Sequence, residues 1–197
     1  ISLLTPVIKG YGTDKGFETT VNMQQIWGGH GYIVENGMEQ FVRDARIAMI
    51  YEGTNQIQAI DLLLRKVLDD GGQRIEALLA ELAAEALVCE GADTLQAFAA
   101  ALGSQVDAVR SGTQALLQGR TADPEWPLRV ADDYLRGVGF ALLAWAWART
   151  ARTAGSLPPE PWLQAKIGSA RFGVQWLLPE ADLHWRRVQD ASAVLPW

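Results

Sequence analysis

A chain of 197 residues, 49% of them apolar, has material for one large domain or two small ones with a real core. Its mean hydropathy of +0.01 is that of a soluble protein, and no apolar run reaches the roughly 20 residues that span a bilayer. A net charge of −6, with no block of like charges, disfavours nucleic acid, whose phosphates require a basic patch. The lone Cys89 has no internal disulfide partner, which suits a reducing compartment, and its Ala-Leu-Val-Cys setting predicts a packing residue. The chain opens on Ile1 with no charged leader or cleavage pattern, so its start reads as an internal cut in a longer protein.

Strand signals are weak throughout, while Ala, Leu, Gln, Glu and Arg recur at helical spacing, so the expected fold is all-α. Thr13–Gly16 reads as a turn, and Phe17–Trp27 as a helix whose apolar face is Val21, Met23, Ile26 and Trp27. Gly28, Gly29 and Gly31 must end it, since three glycines in four residues do not hold a helix. A short helix is predicted over Met38–Ala45, then a connector over 46–53. Thr54 or Asn55 is placed to cap the next helix, which runs to about Asp69 with Ile57, Ile60, Leu63, Leu64 and Val67 on one face.

Asp69-Asp70-Gly71-Gly72 is the clearest break, and a domain boundary is expected there, dividing 1–70 from 71–197. Beyond it the pattern predicts helices over about 73–89, 93–118, 124–153 and 159–178, then a tail over 180–192. Pro124 suits the first turn of the third. Short loops between long amphipathic helices favour an antiparallel four-helix bundle. Gly137–Trp147 is the richest apolar stretch and reads as a buried helix; Trp145, Trp147, Phe172 and Trp176 read as core or interface residues. No metal site is expected: His30 and His184 are far apart in sequence, Cys89 stands alone, and no zinc-type spacing occurs.

Three elements follow one another before residue 60. They are Gln25-Ile-Trp-Gly28-Gly29-His30-Gly31-Tyr32, Arg43-Asp44-Ala-Arg46, and Ile50-Tyr51-Glu52-Gly53-Thr54-Asn55-Gln56-Ile57-Gln58. In order and spacing they resemble the C-terminal signature of the acyl-CoA dehydrogenases. The stretches 133–149 and 165–180 resemble the extra helical extension of larger members, on packing residues rather than chemical ones. The resemblance implies that 1–70 is the end of the family's C-terminal helical domain and 71–197 an added helical bundle.

It also implies a chemistry. Oxidising an acyl-CoA to its trans-2-enoyl form removes an α proton and a β hydride, so a carboxylate must take the proton while FAD accepts the hydride. Glu52 matches the family's base, with Ile50, Tyr51 and Gly53 expected to exclude water and so raise a carboxylate's pKa. Gln25, Gly28 and Gly29 match a turn that meets the ADP part of FAD, typically on the neighbouring subunit. Thr54 and Gln56 match positions near the flavin or its adenosine, and Tyr51 and Gly53 match the thioester or CoA site. Arg43 and Asp44 are expected to pair and hold the loop. The implied partners are acyl-CoA, an electron-transfer flavoprotein and further copies of the chain (a dimer or tetramer), in cytoplasmic fatty-acid β-oxidation. The 197 residues alone are expected neither to retain FAD nor to turn over. The alternative is a helical protein-interaction module in which the dehydrogenase-like segment survives as scaffold.

Overall fold

The computed structural model describes residues 1–190, and among them every regular element is helical. The elements are α1 (Leu4–Ile26), α2 (Met38–Ile47), α3 (Asn55–Ile60), α4 (Gln73–Glu90), α5 (Gln96–Gly119), α6 (Trp126–Gly155), α7 (Pro161–Phe172) and α8 (Glu180–Gln189). Short 3₁₀ turns at Gly28–Tyr32 and Val34–Asn36 join α1 to α2, and another at Asp93–Leu95 precedes α5. Two helices continue in π geometry, α3 through Asp61–Leu68 and α7 through Gly173–Leu177.

The 30-residue α6 is the axis of the molecule; α1, α3, α4, α5, α7 and α8 all pack on it. Its sequence explains this. Gly137, Gly139, Ala141, Ala144, Ala148 and Ala151 are buried and leave room for large neighbours. Trp185 of α8 fills the space over Gly137, and Tyr11 of α1 the space over Gly139. The Gly137–Trp147 stretch is thus the buried helix that its composition predicts. Around it α4, α5 and α6 alternate in direction. Gly72, at the start of α4, faces Thr113 and Leu117 late in α5, and Thr113 bonds Tyr134 early in α6 at 2.7 Å. Late in α4, Glu85 accepts from Arg152 late in α6 at 2.5 Å. Most of the buried apolar residues form one cluster running from Leu3 to Val188, with Met38, Ala154 and Leu163 buried outside it.

Thr13–Gly16 is no turn; it lies within α1. The polar residues there are held, Thr13 Oγ1 by the Lys9 carbonyl at 2.5 Å and Asp14 by partners on α3 and α6, so the helix runs on despite poor local propensity. The face of Val21, Met23, Ile26 and Trp27 is exposed. Pro124 precedes α6 rather than opening it. Asp123 Oδ1 accepts from the backbone of Glu125 and Trp126 at 3.2 and 3.1 Å, and Pro127 takes the first turn.

After α3 the buried face is Leu62, Leu63, Val67 and Leu68 rather than an α-spaced stripe, and Ile57 is exposed. Two adjacent pairs five residues apart suit i→i+5 geometry, and the Asp69 N–H donates to the Leu64 carbonyl at 3.0 Å. Trp145 and Trp147 pack against the core, but Phe172 and Trp176 are 54% and 72% exposed, stacked on each other at 6.4 Å. The tail is a true helix that buries Ala181, His184, Trp185 and Val188; its predicted last residues, 191 and 192, lie outside the described ones.

At the break after the π turn, Gly71 and Gly72 both adopt positive φ, at 68° and 84°. Such a reversal suits residues without a Cβ. Asp70 then caps α4, accepting from the Arg74 backbone at 3.1 Å. Arg120 reaches across from the end of α5 to bond the Leu68 carbonyl at 2.9 Å.

Candidate active site

The loop between α2 and α3 carries Glu52. The last turn of α2 unwinds through hydrogen bonds from Met49, Ile50 and Tyr51 to the carbonyls of Arg46 and Ile47. Glu52 then takes φ 51° and Gly53 φ 87°, two successive left-handed residues that reverse the chain. For a side chain other than Gly this conformation costs about 1–2 kcal/mol, so something must hold it. The Asn55 N–H closes the loop onto the Met49 carbonyl at 3.3 Å, and Gln58 Nε2 donates to the Glu52 carbonyl at 3.4 Å.

Asn55 is the fixed point. It is 2% exposed, and its side chain turns away from the helix it opens. Its Nδ2 donates to the Gly10 carbonyl at 3.0 Å, to Thr13 Oγ1 at 3.0 Å and to Asp14 Oδ1 at 2.6 Å; its Oδ1 accepts from Lys9 Nζ at 2.9 Å. The other oxygen of Asp14 accepts from Arg136 Nη2 at 2.9 Å, and Arg136 Nε donates to Asp132 at 2.8 Å. Burial works against the Arg136 charge; Asp132 and Asp14 outweigh it and hold the guanidinium above its ordinary pKa. Thr54 stands at the N-cap of α3 but makes no capping bond with its side chain.

The loop's outer side chains point into solvent. Ile50, Tyr51 and Glu52 are exposed, so the water exclusion expected of Ile50 and Tyr51 is absent among the described residues. Among the described residues the Glu52 carboxylate has no hydrogen-bond or ion-pair partner. It is sterically free to accept a proton from a molecule brought against the loop. Arg43 and Asp44 do not pair. As neighbours on α2 they face different directions, and Asp44 instead accepts from Gln40 one turn earlier at 2.6 Å. Arg43 and Arg46 line an open groove of about 620 Å³ with Phe17, Tyr32, Ile47 and Ile50, between α1 and α2.

The second set of expected residues lies elsewhere. Gln25 lies in the last turn of α1, and Gly28 and Gly29 open the following 3₁₀ turn. Asn55 is anchored at Asp14, eleven positions before Gln25 along one continuous helix, which is about 16 Å at 1.5 Å per residue. Gln25, Gly28 and Gly29 therefore lie apart from Thr54 and Gln56. No atom stands within 4 Å of where a Cβ would be at Gly28 or Gly29, so the backbone there is open to a close-approaching group. The side chains of Gln25, Thr54 and Gln56 are exposed and make no hydrogen bond among the described residues. These features fit an extended nucleotide cofactor touched at separated points.

Local spacing offers Asn55 as a cap of α3 and marks none of Lys9, Asp14 and Arg136. Their partners lie 41 to 46 residues away, and in one case 122, so no local spacing marks them. Among the described residues no three His, Cys, Asp or Glu side chains are grouped to hold a metal ion, and no helix is long and apolar enough to cross a membrane.

Two family descriptions match successive parts of the chain: "Acyl-CoA dehydrogenase, C-terminal domain" over residues 2–68 and "Acetyl-CoA dehydrogenase C-terminal like" over 72–195. Among relatives, the 3-methylmercaptopropionyl-CoA dehydrogenase of Ruegeria pomeroyi is 37% identical over 195 residues, covering 96% of this chain and 33% of that protein. The broad-specificity linear acyl-CoA dehydrogenase FadE5 of Mycobacterium tuberculosis is 40% identical over 70 residues, 36% of this chain and 12% of its own length. The cyclohex-1-ene-1-carbonyl-CoA dehydrogenase of Geobacter metallireducens is 45% identical over 49 residues, 25% of this chain and 13% of its own length. The chain thus spans a third or less of each of these curated relatives.

Proposed function

Because the chain belongs to the acyl-CoA dehydrogenase family, matching the C-terminal part of its relatives, we propose that it carries the proton-abstracting base of a larger acyl-CoA-oxidising enzyme. In that enzyme the Glu52 carboxylate takes the α proton of a bound acyl thioester. FAD, when bound, supplies the acceptor for the β hydride, so the product is the trans-2-enoyl-CoA. Glu52 accepts the proton at an oxygen that bonds no other side chain among the described residues. Tyr51 and Gly53 flank the thioester. Gln25, Gly28 and Gly29 would hold the nucleotide end of FAD, with Thr54 and Gln56 also helping to hold the cofactor. The relatives' names share the CoA thioester and differ in the acyl part, which supports assigning this loop to the shared end of the substrate. Electrons pass on to an electron-transfer flavoprotein, in a cytoplasmic homo-oligomer acting in fatty-acid β-oxidation. The segments 1–70 and 71–197 are the catalytic-domain end and an added helical domain.

The observation that carries this reading is the placement of Glu52: a carboxylate without a partner among the described residues, at the tip of a loop held in left-handed backbone, beside the exposed Ile50 and Tyr51. The 197 residues alone leave that carboxylate in water and are expected to be inactive and colourless. Yellow flavin absorbance in the purified chain, bleached by acyl-CoA, would contradict this. The decisive experiment is Glu52→Gln in the complete enzyme. Acyl-CoA-dependent flavin reduction is expected to slow by about 10²–10⁴-fold, the range of a general base; a near-normal rate sinks the assignment.

A further inference from the structure

Resting on the reading of Glu52 as base, we infer that Arg136, acting through Asp14 and Asn55, is a positioning residue for the Glu52 loop. The helical segment after residue 70 thereby serves as the loop's rear support. The Glu52 loop touches the body of the molecule at few points. Its outer side chains are exposed, and its one conformationally costly residue is Glu52 itself. What fixes it is Asn55, whose amide and carbonyl are both engaged by α1. Asp14 is where two distant segments meet. One oxygen holds Asn55 at 2.6 Å, and the other is held by Arg136 at 2.9 Å.

Arg136 is in turn fixed by Asp132 on the same helix and is three-quarters buried. A carboxylate gripped on both oxygens keeps one orientation, whereas one gripped on a single oxygen can rotate away. Removing the Arg136 charge leaves Asp14 partly buried without its cation, so the Asn55 bond is the one put at risk. Because the loop is otherwise thinly attached, that loss reaches Glu52 before it reaches the core.

The test uses the complete enzyme with Arg136→Met, Arg136→Lys and Asn55→Ala. The last leaves the Arg136–Asp14 pair intact, and so keeps the experiment decisive if Arg136→Met does not fold. Amide hydrogen exchange over residues 48–58 is expected to rise by roughly tenfold or more in Arg136→Met and Asn55→Ala, the factor set by one hydrogen bond to a charged group, with α4 and α5 unchanged. In both variants kcat is expected to fall by a similar factor while the KM for acyl-CoA stays within about twofold, the pattern of a lost transition-state alignment. Arg136→Lys keeps one charged donor and restores most of both. Unchanged exchange over 48–58, or a rise spread evenly over all helices, overturns the inference. Glu52→Gln separates the two ideas: if that variant keeps its turnover the base reading fails, while the exchange data still decide the role of Arg136.

Discussion

Tyr11 of α1 lies against the bare backbone of Gly139 in α6, so close that a Cβ at Gly139 would stand 2.4 Å from the Tyr11 ring. The ring is buried and packs edge-on against Phe140 at 5.4 Å, so it has nowhere to go. Gly139→Ala is therefore expected to destabilise the fold by about 1–3 kcal/mol, as overpacking does, despite alanine's better helix propensity. Gly168→Ala is the control: an exposed helical glycine with nothing within 4 Å, expected to gain about 0.5–1 kcal/mol. Urea melts of the two variants should move in opposite directions.

His184 and Arg187 of α8 both reach Asp133 of α6, at 2.6 and 3.3 Å. Burial alone would raise the Asp133 pKa; the bonds from His184 and Arg187 outweigh it and hold the carboxyl below the usual carboxylate range. A group whose folded pKa is depressed contributes stability above its unfolded pKa and loses it as pH falls through the folded one. Asp133→Asn should cost about 1–3 kcal/mol at pH 7. The gap between variant and parent should shrink as pH drops below the ordinary carboxylate value near 4, measured by chemical unfolding across pH.

The Tyr134 hydroxyl is fully buried and meets Thr113 Oγ1 at 2.7 Å, while Thr113 also donates to the Val109 carbonyl at 2.7 Å. Thr113→Val keeps the shape but strands the Tyr134 hydroxyl, at a cost of about 1–3 kcal/mol. Tyr134→Phe in the Thr113→Val background removes the stranded group and should recover part of that loss. Thermal unfolding of the two single variants and the double variant reads the coupling directly.

Burial pushes the Cys89 thiol above its ordinary pKa, and Glu85 adds to the shift while Arg152 opposes it. Since the thiolate is the reactive form and Cys89 is fully buried, modification must wait for an opening of α4. An aromatic disulfide reagent should react roughly 10²-fold or more slowly with the native protein than with a free thiol, and the rate should track local opening. Fast stoichiometric labelling would show that α4 is loosely held.

The helices were legible where amphipathic spacing and breakers agreed, as in α4, α5 and the body of α6. Local pattern misleads where the deciding contact lies far along the chain. Thr13–Gly16 looks like a turn by composition, and only Asn55 and Arg136 explain why Asp14 sits comfortably inside a helix. The π turn at Asp61–Leu68 defeats a reading that assumes α periodicity. At the site, residue types in order marked Glu52 and its neighbours. Exposure could not be read that way, because an apolar run such as Ile50-Tyr51 looks the same whether its cover belongs to this chain or to another surface.

Asp14 and Arg136 stand 122 residues apart, and this separation has a consequence for biosynthesis. A ribosome adding about 5–20 residues per second exposes Asp14 and Asn55 on the order of ten seconds before Arg136 emerges. Until then the nascent chain holds a carboxylate without its cation and a loop without its brace. Closing so distant a contact carries a loop-entropy cost that local helices escape, so it is expected late in folding. A chain that stops short of α6 would keep the Asn55 bonds to α1 but leave Asp14 without its cation, and so carry the Tyr51-Glu52-Gly53 loop more loosely held.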